Sequence, residues 1–166
     1  MTDVTSRTMR PQRSVLFMPG SNARAMEKAR SLPADVVIFD LEDAVAPDAK
    51  ENARDQALDA VSAGGYGRRE VIVRVNAMAT RWGRADLAAV ATSGADAVLL
   101  PKIDSPVTVR EALGVLTDAG APPGLSLWCM LETPRGILNA AAIAACNSLV
   151  TALVMGTSDL TKEIEL

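Results

Sequence analysis

"VVIFDLEDAV", residues 36–45, opens with an unbroken apolar run and then presents Asp40, Glu42 and Asp43 within four positions. An apolar run without in-out alternation reads as a strand covered on both faces, as in a parallel sheet wrapped by helices. Carboxylates released directly after such a strand stand at its carboxyl end, the edge where α/β proteins gather their chemistry.

The same pattern recurs on either side. "SVLFM" (14–18), "VIVRV" (71–75), "AVLL" (97–100), "LSLWCML" (125–131) and "LVTALVM" (149–155) bring the candidate strands to six. Helix signals lie between them. Ser21 or Asn22 is a candidate cap for a helix through about Ser31, and Asp48 for one ending at Gly64-Gly65. Ser105-Pro106 and Thr133-Pro134 each set a cap residue before a proline at the first helical position, and Gly94 and Gly120 read as terminators. The repeat is βα without hairpin signals, which fits an open doubly wound sheet or a closed (β/α)₈ TIM barrel. Polar groups after nearly every strand favour the barrel: Asp40/Glu42/Asp43, Arg74/Asn76, Lys102, Glu132 and Asp159. In a barrel all these ends converge on one mouth, whereas an open sheet gathers only those at its switch point. Six units cannot close an eight-stranded barrel of about 250 residues. The expectation is therefore a flexible N-terminal arm over 1–12 and an incomplete barrel over 13–166, lacking its last two units.

The composition narrows the chemistry. There is no histidine among the 166 residues, so any reaction must use carboxylates, Arg, Lys, hydroxyls or backbone, and a hard cation becomes the natural cofactor. The net charge of −3 is spread without a basic stripe, which argues against nucleic acid. No apolar stretch reaches membrane-spanning length and the N-terminus lacks a secretory h-region, so a cytoplasmic protein is expected. Cys129 and Cys146 lack metal-knuckle spacing and read as small core residues.

Several carboxylates near one another in a dry pocket need compensating positive charge. With hard oxygen donors alone on offer, Mg²⁺ or Mn²⁺ is the economical partner, and Glu132 and Asp159, at corresponding points of adjacent βα units, would supply two ligands. Asp40, Glu42 and Asp43 would orient the ion's water from a second layer. The plainer alternatives are a solvated loop with a helix cap for "DLEDAV" and helix N-terminal carboxylates for Glu132 and Asp159. Arg74, inside a strand, needs an anionic partner: Glu42 or Asp43 structurally, or a substrate carboxylate or developing enolate functionally. Lys102 in "LLPKI" either reaches the mouth as a point charge or snorkels outward, and the acids around it disfavour a Schiff-base role. "MPGSNAR" (18–24) is an anion cradle or an ordinary turn, and "GTSDL" offers backbone donors at Gly156, Thr157 and Ser158.

Taken together, "RSVLFMPGSN", "FDLEDAV", "VRVN", "LLPK", "LETPRGI" and "GTSDL" resemble, in order and spacing, the citrate lyase beta-subunit family, which includes malyl-CoA and citramalyl-CoA lyases. The resemblance covers nearly the whole chain. It implies a (β/α)₈ barrel, a homo-oligomer (trimer or hexamer), and Mg²⁺-dependent carbon–carbon cleavage or formation in β-hydroxyacyl-CoA thioesters, with a 2-oxo acid as partner. Carried over by motif, it implies Glu132 and Asp159 as metal ligands, Arg74 as the substrate-binding arginine, Glu42 and Asp43 as supporting acids, and Arg13 as a basic residue near the CoA or carrier part. It also implies an acid/base residue from the C-terminal part of a neighbouring subunit, which has no counterpart here. Metal-dependent pyruvate aldolases carry a histidine after the acid, absent from "DLEDAV". A malyl-CoA thioesterase and a non-catalytic acyl-CoA-binding subunit are the other readings.

Overall fold

All six apolar runs form strands. A computed structural model of the chain describes residues 10–164. In it β1 (Val15–Pro19), β2 (Val36–Asp40), β3 (Glu70–Arg74), β4 (Ala97–Leu100), β5 (Ser126–Leu131) and β6 (Val150–Met155) make one sheet. Every neighbour is parallel and the strand order is the sequence order. A doubly wound sheet would reverse direction at a switch point; this one does not, so it is an arc of a barrel. β1 and β6 are its two edges and the barrel is not closed.

The intervening helices are α1 (Ala23–Ala29), α2 (Lys50–Ala63), α3 (Gly83–Val90), α4 (Pro106–Asp118), α5 (Pro134–Leu138), α6 (Ala140–Ala145) and α7 (Thr157–Ile164). Asn22 caps α1 by accepting from the Ala25 amide at 3.0 Å, and Thr133 caps α5 through the Gly136 amide, also at 3.0 Å. Asp48 is no cap: it lies in a 3₁₀ turn (Pro47–Ala49) leading into α2. α2 ends at Gly64, whose φ of +63° costs a residue without Cβ little.

Two-residue periodicity sorts the strand side chains into two layers. Val37, Phe39, Val71, Val73, Val98, Leu100, Leu127 and Cys129 pack under the helices. Val36, Ile38, Ile72, Ala97, Leu99, Trp128 and Met130 form the inner layer, joined by Ala152 and Val154. The central strands β2 to β5 are buried at every position, which is why they show no alternation in sequence. The edge strand β6 does alternate. Extending the inner layer by one more step brings Asp40, Arg74, Glu132 and Gly156 to the carboxyl end of the same face. Asp40 and Arg74 are register partners.

At the opposite end, residues counted as arm are partly fixed. The first nine residues lie outside the described ones, but Arg10 donates to Asp96 at 2.9 Å and Gln12 to Glu70 at 2.8 Å. Cys129 is buried in β5, where desolvation pushes its thiol up to about 12, as suits a core cysteine, and Cys146 follows α6 half-buried against the core; both are free.

Candidate active site

Arg74 organises the mouth. It stands at the end of a strand buried along its whole length, so its guanidinium has to be met by anions. Asp40 meets it bidentately, Oδ1 accepting from Nε at 2.7 Å and Oδ2 from Nη2 at 2.6 Å. Nη1 then lies 3.1 Å from Glu42 Oε2 and 3.3 Å from Asp43 Oδ2, and the guanidinium carbon sits 5.4 Å from the centre of the Phe17 ring. Burial opposes this charge, but the Asp40 hydrogen bonds and the neighbouring acids outweigh it and hold the pKa of Arg74 above its ordinary value.

The loop after β2 is shaped by two residues outside the motif's obvious acids. Asp40 also accepts from the Glu42 amide at 2.8 Å and the Ala44 amide at 3.0 Å, folding "DLEDA" into a tight turn. Lys50, at the start of α2, is buried and donates to the carbonyls of Leu41 (2.9 Å) and Glu42 (2.8 Å), with its ammonium 5.3 Å from the centre of the Trp82 ring. Desolvation lowers its pKa, against the pull of Asp40 and Glu42.

Glu132 extends β5 into the mouth and is 3% exposed. Its Oε1 is buried without a hydrogen-bond partner. Burial first, then the charge of Glu42, pushes this carboxyl up to about 7 despite Arg74, with Asp159 close enough to add to the shift. Asp159, in the first turn of α7, is held below the usual carboxylate range by the hydrogen bond from Lys162, with Lys102 adding to it. Lys102 Nζ bridges Asp159 Oδ2 and Glu42 Oε1, 3.3 Å from each. Burial would lower the pKa of Lys102, but these two carboxylates raise it, which favours the ammonium form and disfavours a Schiff-base role.

Glu42, Asp43, Arg74, Lys102, Glu132 and Asp159 therefore meet at one mouth. Two expectations are corrected, and one open alternative is decided. Arg13 lies before β1, at the amino end of the sheet, and its Nε pairs with Asp35 at 3.0 Å; a five-residue strand, about 16 Å long, separates it from the mouth. Gly156 does not offer its amide, which donates to the Leu131 carbonyl at 3.0 Å. Its contribution is space: a Cβ at 156 would collide with Cγ of Glu132. Gly156→Ala is accordingly expected to cost about 1–3 kcal/mol in denaturant unfolding and to weaken divalent-metal binding by displacing Glu132. The turn of "MPGSNAR" is an ordinary one, since the amides of Gly20 and Asn22 are taken by the carbonyls of Asp40 and Pro19. Thr157 and Ser158 form the first turn of α7 beside Asp159. Asn76 is drawn away from the mouth by the fully buried Asp86, which accepts from its amide (3.1 Å) and Nδ2 (2.6 Å).

Asp40 and Lys50 shape the mouth more than their place in the sequence suggests. Asp40 had a signal, being the last inward residue of β2 opposite an inward arginine. Lys50 had none, because its reach back to the β2 loop depends on the 3₁₀ turn before α2.

No group of three or more His, Cys, Asp or Glu side chains among the described residues is arranged to hold a metal. A two-carboxylate site remains, and its donors fit Mg²⁺, which keeps several waters when bound to protein. The partnerless Glu132 Oε1 and the space kept by Gly156 support that fit. Among the described residues no helix is long and apolar enough to cross a membrane.

Residues 13–166 match the HpcH/HpaI aldolase/citrate lyase family. A (3S)-malyl-CoA thioesterase of Cereibacter sphaeroides is 51% identical over 154 residues, covering 93% of this chain and 52% of that protein. Citrate lyase subunit beta of Escherichia coli K12 is 38% identical over 95% of this chain and 54% of that protein. The chain thus spans about half the length of these curated relatives. The structure of a citrate lyase beta subunit from Mycobacterium tuberculosis complexed with oxaloacetate and magnesium superposes with a TM-score of 0.74 at 31% identity, covering 93% of this chain and 63% of that one. The structure of the protein CitE from the same organism, in complex with magnesium, acetoacetate and coenzyme A, gives 0.69 at 30% identity, over 93% and 53% of the two chains.

Proposed function

The chain belongs to the HpcH/HpaI aldolase/citrate lyase family, and from that premise we propose that its mouth serves a Mg²⁺-dependent carbon–carbon lyase acting on a β-hydroxyacyl-CoA of the malyl-, citramalyl- or citryl-CoA type. The products would be a 2-oxo acid and an acyl-CoA, and the reverse condensation would use the same groups. The observation that carries the reading is the buried carboxyl of Glu132 beside Asp159, its Oε1 without a hydrogen-bond partner, faced by a rigidly held Arg74.

Glu132 and Asp159 would hold the ion. Bound there, it supplies Lewis-acid polarisation of a substrate carbonyl and neutralises the paired acids. The remaining contributions come from the chain itself. Arg74, clamped by Asp40 through Nε and Nη2, presents Nη1 as a fixed donor where negative charge develops on the thioester oxygen, without reorganising during the reaction. Asp43 accepts from that Nη1 at 3.3 Å and Glu42 lies 3.1 Å from it as a counter-charge. Lys50 fixes the loop that carries both acids, acting as a positioning residue. The inner layer of Ile38, Ile72, Leu99, Trp128 and Met130 floors the mouth and excludes water from below.

Thioester hydrolysis is the second reading, favoured by the 51–53% identity to malyl-CoA thioesterases. Incubation with malyl-, citramalyl- and citryl-CoA in Mg²⁺ separates the two. A lyase releases a 2-oxo acid without free thiol; a thioesterase releases free CoA without a 2-oxo acid. Thioester binding in titration calorimetry with neither product would establish a non-catalytic binder and sink both.

Metal binding should also be linked to protons. Glu132 ionises near pH 7 in the metal-free protein and must be ionised to ligate. Affinity for Mn²⁺ is therefore expected to rise with pH up to about 7 and level off above it, with roughly one proton released per ion at pH 6 and almost none at pH 8. Calorimetry in buffers of different ionisation enthalpy measures the release. The same group lowers the metal-free protein's stability as pH rises from about 4.5 to 7, because over that window the folded state binds the proton that the unfolded state has lost.

A further inference from the structure

Lys102 combines two features that the proposed reaction does not explain. It is the one non-glycine residue with positive φ among the described residues, at +53°. Such a conformation is uncommon outside glycine and asparagine, and it persists where surrounding contacts hold it. Those contacts are with two carboxylates from opposite sides of the mouth: Glu42 Oε1 on the β2 loop and Asp159 Oδ2 on α7. The next residue is tied to the sheet, Ile103 donating its amide to the Met130 carbonyl at 3.0 Å. Asp159 Oδ1 is meanwhile taken by Lys162 at 2.9 Å. Both oxygens of the acid expected to ligate a metal are thus occupied by ammonium groups.

We propose that Lys102 is an internal counter-cation of the metal site: it bridges Glu42 and Asp159 while no metal is bound, and a divalent ion enters by displacing its ammonium from Asp159. The inference rests on the assignment of Glu132 and Asp159 as ligands. The two lysines are not equivalent. Lys162 is a solvent-exposed neighbour three positions along the same helix, its side chain 76% exposed, and such pairs are weak and screened. Lys102 is anchored by a second carboxylate, so it retains a place to go: on leaving Asp159 it stays with Glu42. Without it, Glu42, Glu132 and Asp159 would face one another with Arg74 and the exposed Lys162 as the remaining cations. The positive charge of Lys102 holds the acids of the mouth together and opposes the incoming ion.

The test is Mn²⁺ titration of the full chain, with free ion followed by electron paramagnetic resonance and folding checked by circular dichroism. Lys102→Gly removes the ammonium and accommodates φ +53° without strain; Lys102→Met removes only the charge. Both are expected to bind Mn²⁺ about tenfold tighter than the wild type, because a unit positive charge near the ion has gone. Lys162→Met is expected to change affinity less than about threefold. Unchanged or weaker binding by Lys102→Gly overturns the proposal, whatever the methionine variant does, and so does an equal gain in Lys162→Met. Asp159→Asn in the same titration locates the ion. Loss of binding in it, with no gain in Lys102→Gly, removes the counter-cation alone; wild-type binding in Asp159→Asn removes the ligand assignment and the counter-cation together.

Discussion

Glu132→Gln is expected to lower Mg²⁺-dependent turnover about a thousandfold, the several kcal/mol that a bound metal contributes to the transition state. The substitution keeps the size of the side chain and its two-position terminus but removes the charge that holds the ion. Stability should not fall with it. Glu132 is buried, its Oε1 lacks a partner, and its carboxyl is pushed up to about 7 chiefly by that burial, so at neutral pH the folded metal-free protein bears an unfavourable acid there. A neutral amide relieves that. The combination separates a metal ligand from a structural carboxylate: loss of turnover with a melting temperature equal to or above the wild type's. A structural carboxylate would show the reverse, a lower melting temperature with turnover largely kept, and that result would end the ligand assignment. Asp159→Ala should lose the same metal-dependent rate. Because Asp159 lies in the first turn of α7 at the outer rim of the mouth, its removal should leave the fold intact.

Much of this arrangement was legible before any coordinates, for a physical reason. A strand buried on both faces must be apolar throughout, so "VVIF" and its five counterparts announce themselves, and whatever follows each of them lies at the carboxyl end. Strand order in a parallel sheet with short helical crossovers then needs little more information. What the sequence leaves open is which polar group meets which. The inward arginine of β3 had three acids within reach of "DLED", and pairing across the sheet depends on register, which put Asp40 opposite it and left Glu42 and Asp43 to share one nitrogen. Arg13 shows the opposite difficulty. It lies in a motif that resembles the family's, yet motif membership carries no information about which end of a strand a residue occupies; counting back from Pro19 along β1 places it with Asp35 at the far end. Lys50 depended on the 3₁₀ turn just before it, which left no trace in spacing.

Asp40 is where fold and site are least separable, and its replacement gives the second large effect. Asp40→Ala should destabilise the protein by about 3–5 kcal/mol, because it leaves a buried guanidinium without its bidentate partner. It also removes the acceptor for the Glu42 and Ala44 amides, so the turn that carries Glu42 and Asp43 loosens. For a domain of this size the melting temperature should drop by on the order of 10 °C. Arg74→Met alone should be costly too, since Asp40 and Glu42 then face each other across an apolar floor. The decisive measurement is the double variant Asp40→Ala/Arg74→Met in denaturant unfolding. If the two side chains chiefly satisfy each other, removing both recovers about 2 kcal/mol or more relative to the sum of the single losses. Additivity within about 0.5 kcal/mol would mean that Arg74 is held by Glu42 and Asp43 instead. In either outcome the double variant has no Nη1 donor and its turnover should stay lost; where folding recovers, that divergence distinguishes a residue that serves the reaction from one that serves only the barrel.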